Sequence, residues 1–133
     1  MNIKVGVMNM RELKFRAWDE EEKRFWYFTL EDVLKRNMNY KGSWDEKILK
    51  GEKQQYTNLK DENGKEIYEG DILKVKSDDG TINLYVKYDT DMGEYLLIKE
   101  EEWEDSLYGC MCFNEVEVVG NIYENEDLLK QND

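Results

Sequence analysis

The stretch Gln55–Lys76, QYTNLKDENGKEIYEGDILKVK, decides the fold class of this chain. Turn formers at Asn58, Asn63-Gly64 and Gly70 interrupt it, and the run Ile72–Lys76 alternates as a strand does. Asparagine tolerates left-handed backbone better than any other residue except glycine, so Asn58 is read as a turn position as well. This punctuation predicts the beginning of a small β-rich unit.

Downstream, Asp78-Asp79-Gly80 reads as a hairpin turn. Beyond it Ile82, Leu84, Val86 and Tyr88 alternate with Asn83, Tyr85, Lys87 and Asp89, the strongest strand signal in the sequence. Asp89–Gly93 turns the chain, Glu94–Lys99 forms a third run, and Glu100–Asp105 reads as an acidic loop. Met111–Phe113 and Glu115–Val119 then suggest two short strands, ended by a tight turn at Gly120-Asn121. Short strands with short connections predict a small SH3-like β-barrel over residues 55–133, whose closure would hide its edges. Asn125–Leu129 adds a C-terminal helical turn capped by Asn125.

Upstream, Leu13, Phe15 and Ala17 alternate with Lys14, Arg16 and Trp18. Arg24–Phe28 returns after the turn Asp19–Lys23, predicting a β-ribbon. Thr29 stands three residues before Asp32, a near capping box, and Leu30, Val33, Leu34 and Met38 follow at helical spacing. A short helix over Leu30–Asn37 is expected, then a connecting loop over Asn39–Lys53 with room for one helical turn. The chain is therefore mainly β with minor α. Residues 1–9 are expected to be a disordered leader, 10–54 a ribbon-plus-helix subdomain with a loop, and 55–133 the barrel.

Three segments together carry a family resemblance: Gln55–Lys76, Val119–Glu124 (VGNIYE) and Arg11–Asp19 (RELKFRAWD). They resemble the YopX family of phage and prophage proteins, over roughly Met10 to Leu129 and most weakly through Asn39–Lys53. The chain departs from the family pattern in having Asn58 where glycine precedes leucine and Glu126 where proline is common. The resemblance implies a phage or prophage protein in the cytoplasm of a bacterial host, and it carries no activity or cofactor with it.

Composition narrows the function classes. The 133 residues fit one domain or one domain plus a subdomain, and a net charge of −12 opposes nucleic acid and anionic lipid. Lys47, Lys50 and Lys53, and Lys74, Lys76 and Lys87, read as solvated faces. There is no histidine, which removes the usual general base and the commonest transition-metal ligand. Ser43, Ser77 and Ser106 lack a nucleophile-elbow context, and no phosphate-cradling loop occurs. Asp89, Asp91 and Glu100 match the first, third and twelfth places of a calcium loop, but Gly93 falls at the fifth rather than the sixth. No enzyme activity, metal or cofactor is expected.

Cys110 and Cys112 would lie on one face of a strand about 7 Å apart, too far for an unstrained bridge, and read as reduced, half-buried residues. No apolar run reaches membrane-span length, so no membrane partner is expected. Seventeen aromatics, by the counts of Trp, Tyr and Phe, leave room for an exposed binding patch. Core packing is the first reading of these aromatics, and Trp18, Trp26, Tyr68, Trp103 and Tyr123 are the candidates for binding where a patch is exposed. Tyr68 and Tyr123 would flank the opening and closing turns of the barrel. The leading functional expectation is an accessory protein that contacts a host or phage protein, with homo-oligomerisation open. Alternatives are an acidic DNA mimic built on Glu20–Glu22 and Glu100–Asp105, and a nucleic-acid-binding barrel.

Overall fold

In the computed structural model, residues 11–35 and 44–130 are described, the side chains of residues 44, 45, 103 and 104 excepted. The alternation over Leu13–Phe28 produces strands β1 (Lys14–Asp19) and β2 (Arg24–Thr29), paired antiparallel from Lys14↔Thr29 to Asp19↔Arg24. Asp19 shapes the turn between them: its Oδ1 accepts from the backbone N–H of Glu21 and of Glu22. Helix α1 (Leu30–Lys35) opens on the expected reciprocal cap. Thr29 N–H donates to Asp32 Oδ2 at 2.9 Å, and Asp32 N–H to Thr29 Oγ1 at 3.2 Å.

The segment read as a connecting loop contains a second helix, α2 (Trp44–Lys50), followed at once by β3 (Glu52–Lys60). Ile48 is buried with Ala17 and Phe28, so among the described side chains one apolar anchor seats α2 on the ribbon, too weak a periodic signal to read in sequence. Residues 36–43 and 1–9, including the expected end of the first helix and the leader, lie outside the described residues.

A short strand β4 (Glu66–Tyr68) follows, and then β5 (Asp71–Ser77), β6 (Gly80–Asp89), β7 (Glu94–Lys99), β8 (Glu102–Ser106), helix α3 (Leu107–Phe113), β9 (Glu115–Asn121) and a 3-10 turn (Glu126–Lys130). They make two open antiparallel sheets, four-stranded β2-β1-β3-β4 and five-stranded β8-β7-β6-β5-β9. The expected SH3-like closed barrel is not formed. Strand β3, whose residues 55–60 fall in the expected barrel unit, pairs instead with ribbon strand β1 (Phe15↔Gln55 to Trp18↔Glu52) and with β4. The expected boundary between residues 54 and 55 thus falls inside a continuous strand. The outer edge of β9 is met by the β3–β4 loop rather than by β8: Glu62 N–H donates to Val116 O, and Val118 N–H to Asp61 Oδ2.

Two further readings change. Glu100-Glu101 is a tight turn with both residues at positive φ (50° and 69°), and the acids after it form β8. Met111–Phe113 belongs to α3, which Ser106 starts by accepting from Gly109 N–H at 3.0 Å. Helical spacing therefore separates the cysteines: Cys110 is buried, and Cys112 is exposed. Asn125 accepts through its side chain from Asn121 N–H, bracing the turn before the 3-10 segment.

The main core lies on the five-stranded sheet, where Leu73, Val75, Leu84, Val86, Leu97 and Val116 pack with Ile67, Leu107 and Cys110. Leu84 and Val86 face inward as their alternation requires, and Ile82 packs against the same cluster. The smaller core sits between the ribbon, α1 and α2. The line along which the two sheets meet carries the polar chemistry of the molecule.

Candidate functional site: the sheet junction and its tyrosine groove

Arg16 of β1 crosses from the four-stranded sheet to the other. Its Nη2 donates to Asp71 Oδ1 at 2.9 Å and to Glu69 O at 3.0 Å, and its Nε donates to Gln54 Oε1 at 2.7 Å. The guanidinium lies 4.0 Å from the Phe25 ring centroid and 4.9 Å from that of Tyr68, a cation held between two π faces. The second oxygen of Asp71 accepts from Tyr68 N–H at 2.8 Å. Burial pushes the Asp71 carboxyl above the usual carboxylate range, and the Arg16 guanidinium and the Tyr68 N–H oppose it.

Gly70 makes this approach feasible. Its φ of +82° suits glycine, and a Cβ there would fall 2.1 Å from the Gln54 amide nitrogen that neighbours the Arg16 contact. Its N–H donates to Val86 O and its carbonyl accepts from Ile122 N–H, so the turn ties the junction into the second sheet.

The structure gathers three of the expected binding aromatics here. Trp18, only 5% exposed, stacks on Tyr123 at 5.0 Å and 10°, and its indole N–H donates to Glu20 Oε2. Tyr123 donates its hydroxyl to Glu52, and burial, reinforced by that carboxylate, raises its pKa. Tyr68 is buried against Tyr56 and Tyr27, and burial raises its pKa too. Trp26 lies one strand away, its indole N–H donating to Asp19 Oδ2 at 3.0 Å with Arg24 over its ring. Trp103 is on β8, and its side chain lies outside the described residues. Trp18, Tyr68 and Tyr123 pack and brace the junction, and Trp26 packs on the ribbon core.

Lys47 is likewise no solvated residue: its ammonium meets Asp19 Oδ2 at 3.0 Å and Glu22 at 3.3 Å. Burial works against the Asp19 charge, but Lys47, the Trp26 indole and the Glu22 N–H outweigh it and hold the carboxyl well below its ordinary range.

A groove of about 700 Å³ opens beside the junction, between β3, the β6–β7 hairpin and the start of α3. Tyr88, Tyr95 and Tyr108 wall it, with Glu69, Glu94 and Arg11 as its charged groups. Tyr88 and Tyr95 oppose each other across the hairpin, rings 5.1 Å apart and edge to face. Tyr108 is 68% and Tyr88 40% exposed. Among the described residues, the three tyrosine hydroxyls have no hydrogen-bond partner.

Glu69 links the groove to the junction. Its backbone carbonyl accepts from Arg16, its N–H donates to Gln55 O, and its Oε1 accepts from Gln55 N–H at 2.6 Å. Burial raises its pKa, with the Gln55 N–H and Arg16 pulling the other way. Sequence reasoning missed this groove. Its available signal was the pair Tyr88 and Tyr95 flanking one turn, which register makes cross-strand neighbours.

Among the described residues no group of three or more metal-ligating side chains comes together, and no helix is long and apolar enough to cross a membrane.

The family model described as YopX protein matches residues 14–130. The chain belongs to the YopX family. The match runs from the first residue of β1 to the last of the 3-10 turn, so both sheets and the junction are family structure. A search of curated proteins gives no match. Among solved structures, the chain is similar to protein EF1440 from Enterococcus faecalis, with a TM-score of 0.58 and 24% identity over 90% of this chain and 99% of that one. That likeness concerns the fold alone.

Proposed function

We propose that this YopX-family chain is a phage- or prophage-derived accessory protein that works in the bacterial cytoplasm by binding another protein, without catalysis. The observation that carries the reading is the tyrosine groove. Large aromatic faces with free polar tips, mounted on a braced sheet junction, are the surface chemistry that protein contacts favour. The carboxylates best placed for acid–base work are engaged inside the protein, Asp71 by Arg16 and Asp19 by Lys47.

An acidic DNA mimic has weaker support. Glu20 and Glu22 are spoken for by Lys23 and Lys47, which lowers the free charge of that turn. A nucleic-acid interface has still less, because among the described residues Arg11 is the one cation lining the groove and the chain carries −12.

The test is affinity purification of the tagged protein from a lysogenic or infected host, followed by mass spectrometry with and without nuclease. A nuclease-resistant protein partner retained at physiological salt is expected. Recovery of nucleic acid alone, or of nothing above the control, contradicts the reading.

A further inference from the structure

We propose that the tyrosine groove receives an extended, arginine- or lysine-bearing segment of the partner, its cations stacking on tyrosine faces and pairing with Glu69 and Glu94. This rests on the protein-binding reading above and specifies its site and chemistry.

The shape comes first. The groove is bounded by strand β3 on one side and the β6–β7 hairpin on the other, a trough between two extended elements. Its volume of about 700 Å³ lies within the range of specific binding sites. Aromatic-lined troughs of this kind suit segments already extended before binding, because little backbone entropy is then lost.

Charge then selects the occupant. Among the described residues two carboxylates and one guanidinium line the groove, and the tyrosine rings present negative π faces that attract a desolvated cation. The net charge of −12 draws a basic partner from a distance. That same charge repels a second copy of the chain and an oligonucleotide, which sets both aside as occupants. Glu69 is fixed before any ligand arrives, since Gln55 and Arg16 hold its backbone and one carboxylate oxygen. Preorganisation of this kind lowers the cost of binding. Burial raises the Glu69 pKa, a cost that an incoming cation would relieve.

The experiment is fluorescence anisotropy on the full chain with two fluorescein-labelled peptides, one alternating arginine with proline and one alternating glutamate with proline. The arginine peptide should bind and weaken with added salt, and the glutamate peptide should not bind. Tyr95→Ala should weaken the arginine peptide about tenfold. Because Tyr95 also packs on the main core, Glu94→Gln is the second variant, expected to weaken binding several-fold with unchanged stability. Equal binding of both peptides overturns the proposal. So does a loss confined to a Glu20→Gln/Glu21→Gln/Glu22→Gln control, which would mark diffuse attraction to an acidic surface. If neither peptide binds, yet wild type and Glu94→Gln retain the same cellular partner, the groove assignment fails and protein binding stands. If the arginine peptide binds as expected and no cellular partner is retained, the groove chemistry holds and the accessory-protein reading fails.

Discussion

Arg16 and Asp71 stand on different sheets, and their side chains meet at 2.9 Å while only 5% and 4% exposed. A charge pair so thoroughly desolvated gains little over apolar packing, but it is costly to break from one side. Its value here is positional. It fixes β1 against the start of β5, and through the Glu69 carbonyl it sets the floor of the tyrosine groove.

Removing either partner alone therefore leaves an uncompensated buried charge. Arg16→Ala and Asp71→Ala should each lower stability by about 3–5 kcal/mol, seen as a lower urea midpoint at unchanged slope. A loss under about 1 kcal/mol would remove the junction from its structural role.

Acid sensitivity has an identifiable source in Asp19. Its folded-state pKa lies below the unfolded value of about 3.9, so its contribution is complete above that pH and is lost as pH falls toward the folded value. Asp19→Asn should be less stable than wild type at neutral pH. The gap should narrow between about pH 5 and pH 3, measured by urea unfolding across that range. A constant gap over that interval would rule out ionisation of Asp19 as the cause.

The Glu100-Glu101 turn holds two side-chain-bearing residues in left-handed backbone and places their like charges together. Each left-handed non-glycine residue costs about 1 kcal/mol. Glu101→Gly should raise the thermal midpoint by several degrees, and Glu100→Asn/Glu101→Gly by more. No gain, or a loss, would mean that the unfolded-state freedom of glycine outweighs the relief of strain.

Thiol reactivity should follow the helix rather than a strand. Cys112 is exposed, while burial raises the Cys110 thiol pKa and Asn114 contacts its sulfur. Iodoacetamide with mass spectrometry should label Cys112 alone in native protein and both after denaturation. Equal native labelling would contradict the placement of α3.

Local features were legible in the sequence where one residue type satisfies one backbone need. The Thr29–Asp32 cap, the Gly80 hairpin, left-handed Asn58 and the inward-facing Leu84 and Val86 all belong to this class. Partner choice between strands was not legible. Alternation says which face of β6 is inside, but not whether the outer strands of its sheet close on each other, and β3, which pairs with β1 and β4, shows no clean alternation of its own. Met111–Phe113, read as a strand, lies in the helix Leu107–Phe113 for a different reason. Its β-prone composition hides a helix that Ser106 caps and Leu107 and Cys110 anchor.

The site was legible only in part. Trp18, Tyr68 and Tyr123 converge as aromatics of the turns do, but their role around Arg16 depends on a contact with Asp71 55 residues away. The groove tyrosines come from three separate elements, β6, β7 and α3, which no local pattern links.

Amide hydrogen exchange of the full chain, with and without the arginine–proline peptide, tests the central claim most directly. Added protection should concentrate at residues 55–59, 88–95 and 107–108, on the three sides of the groove. Protection at the Glu20–Glu22 turn or around Phe113, with those segments unchanged, would contradict the account.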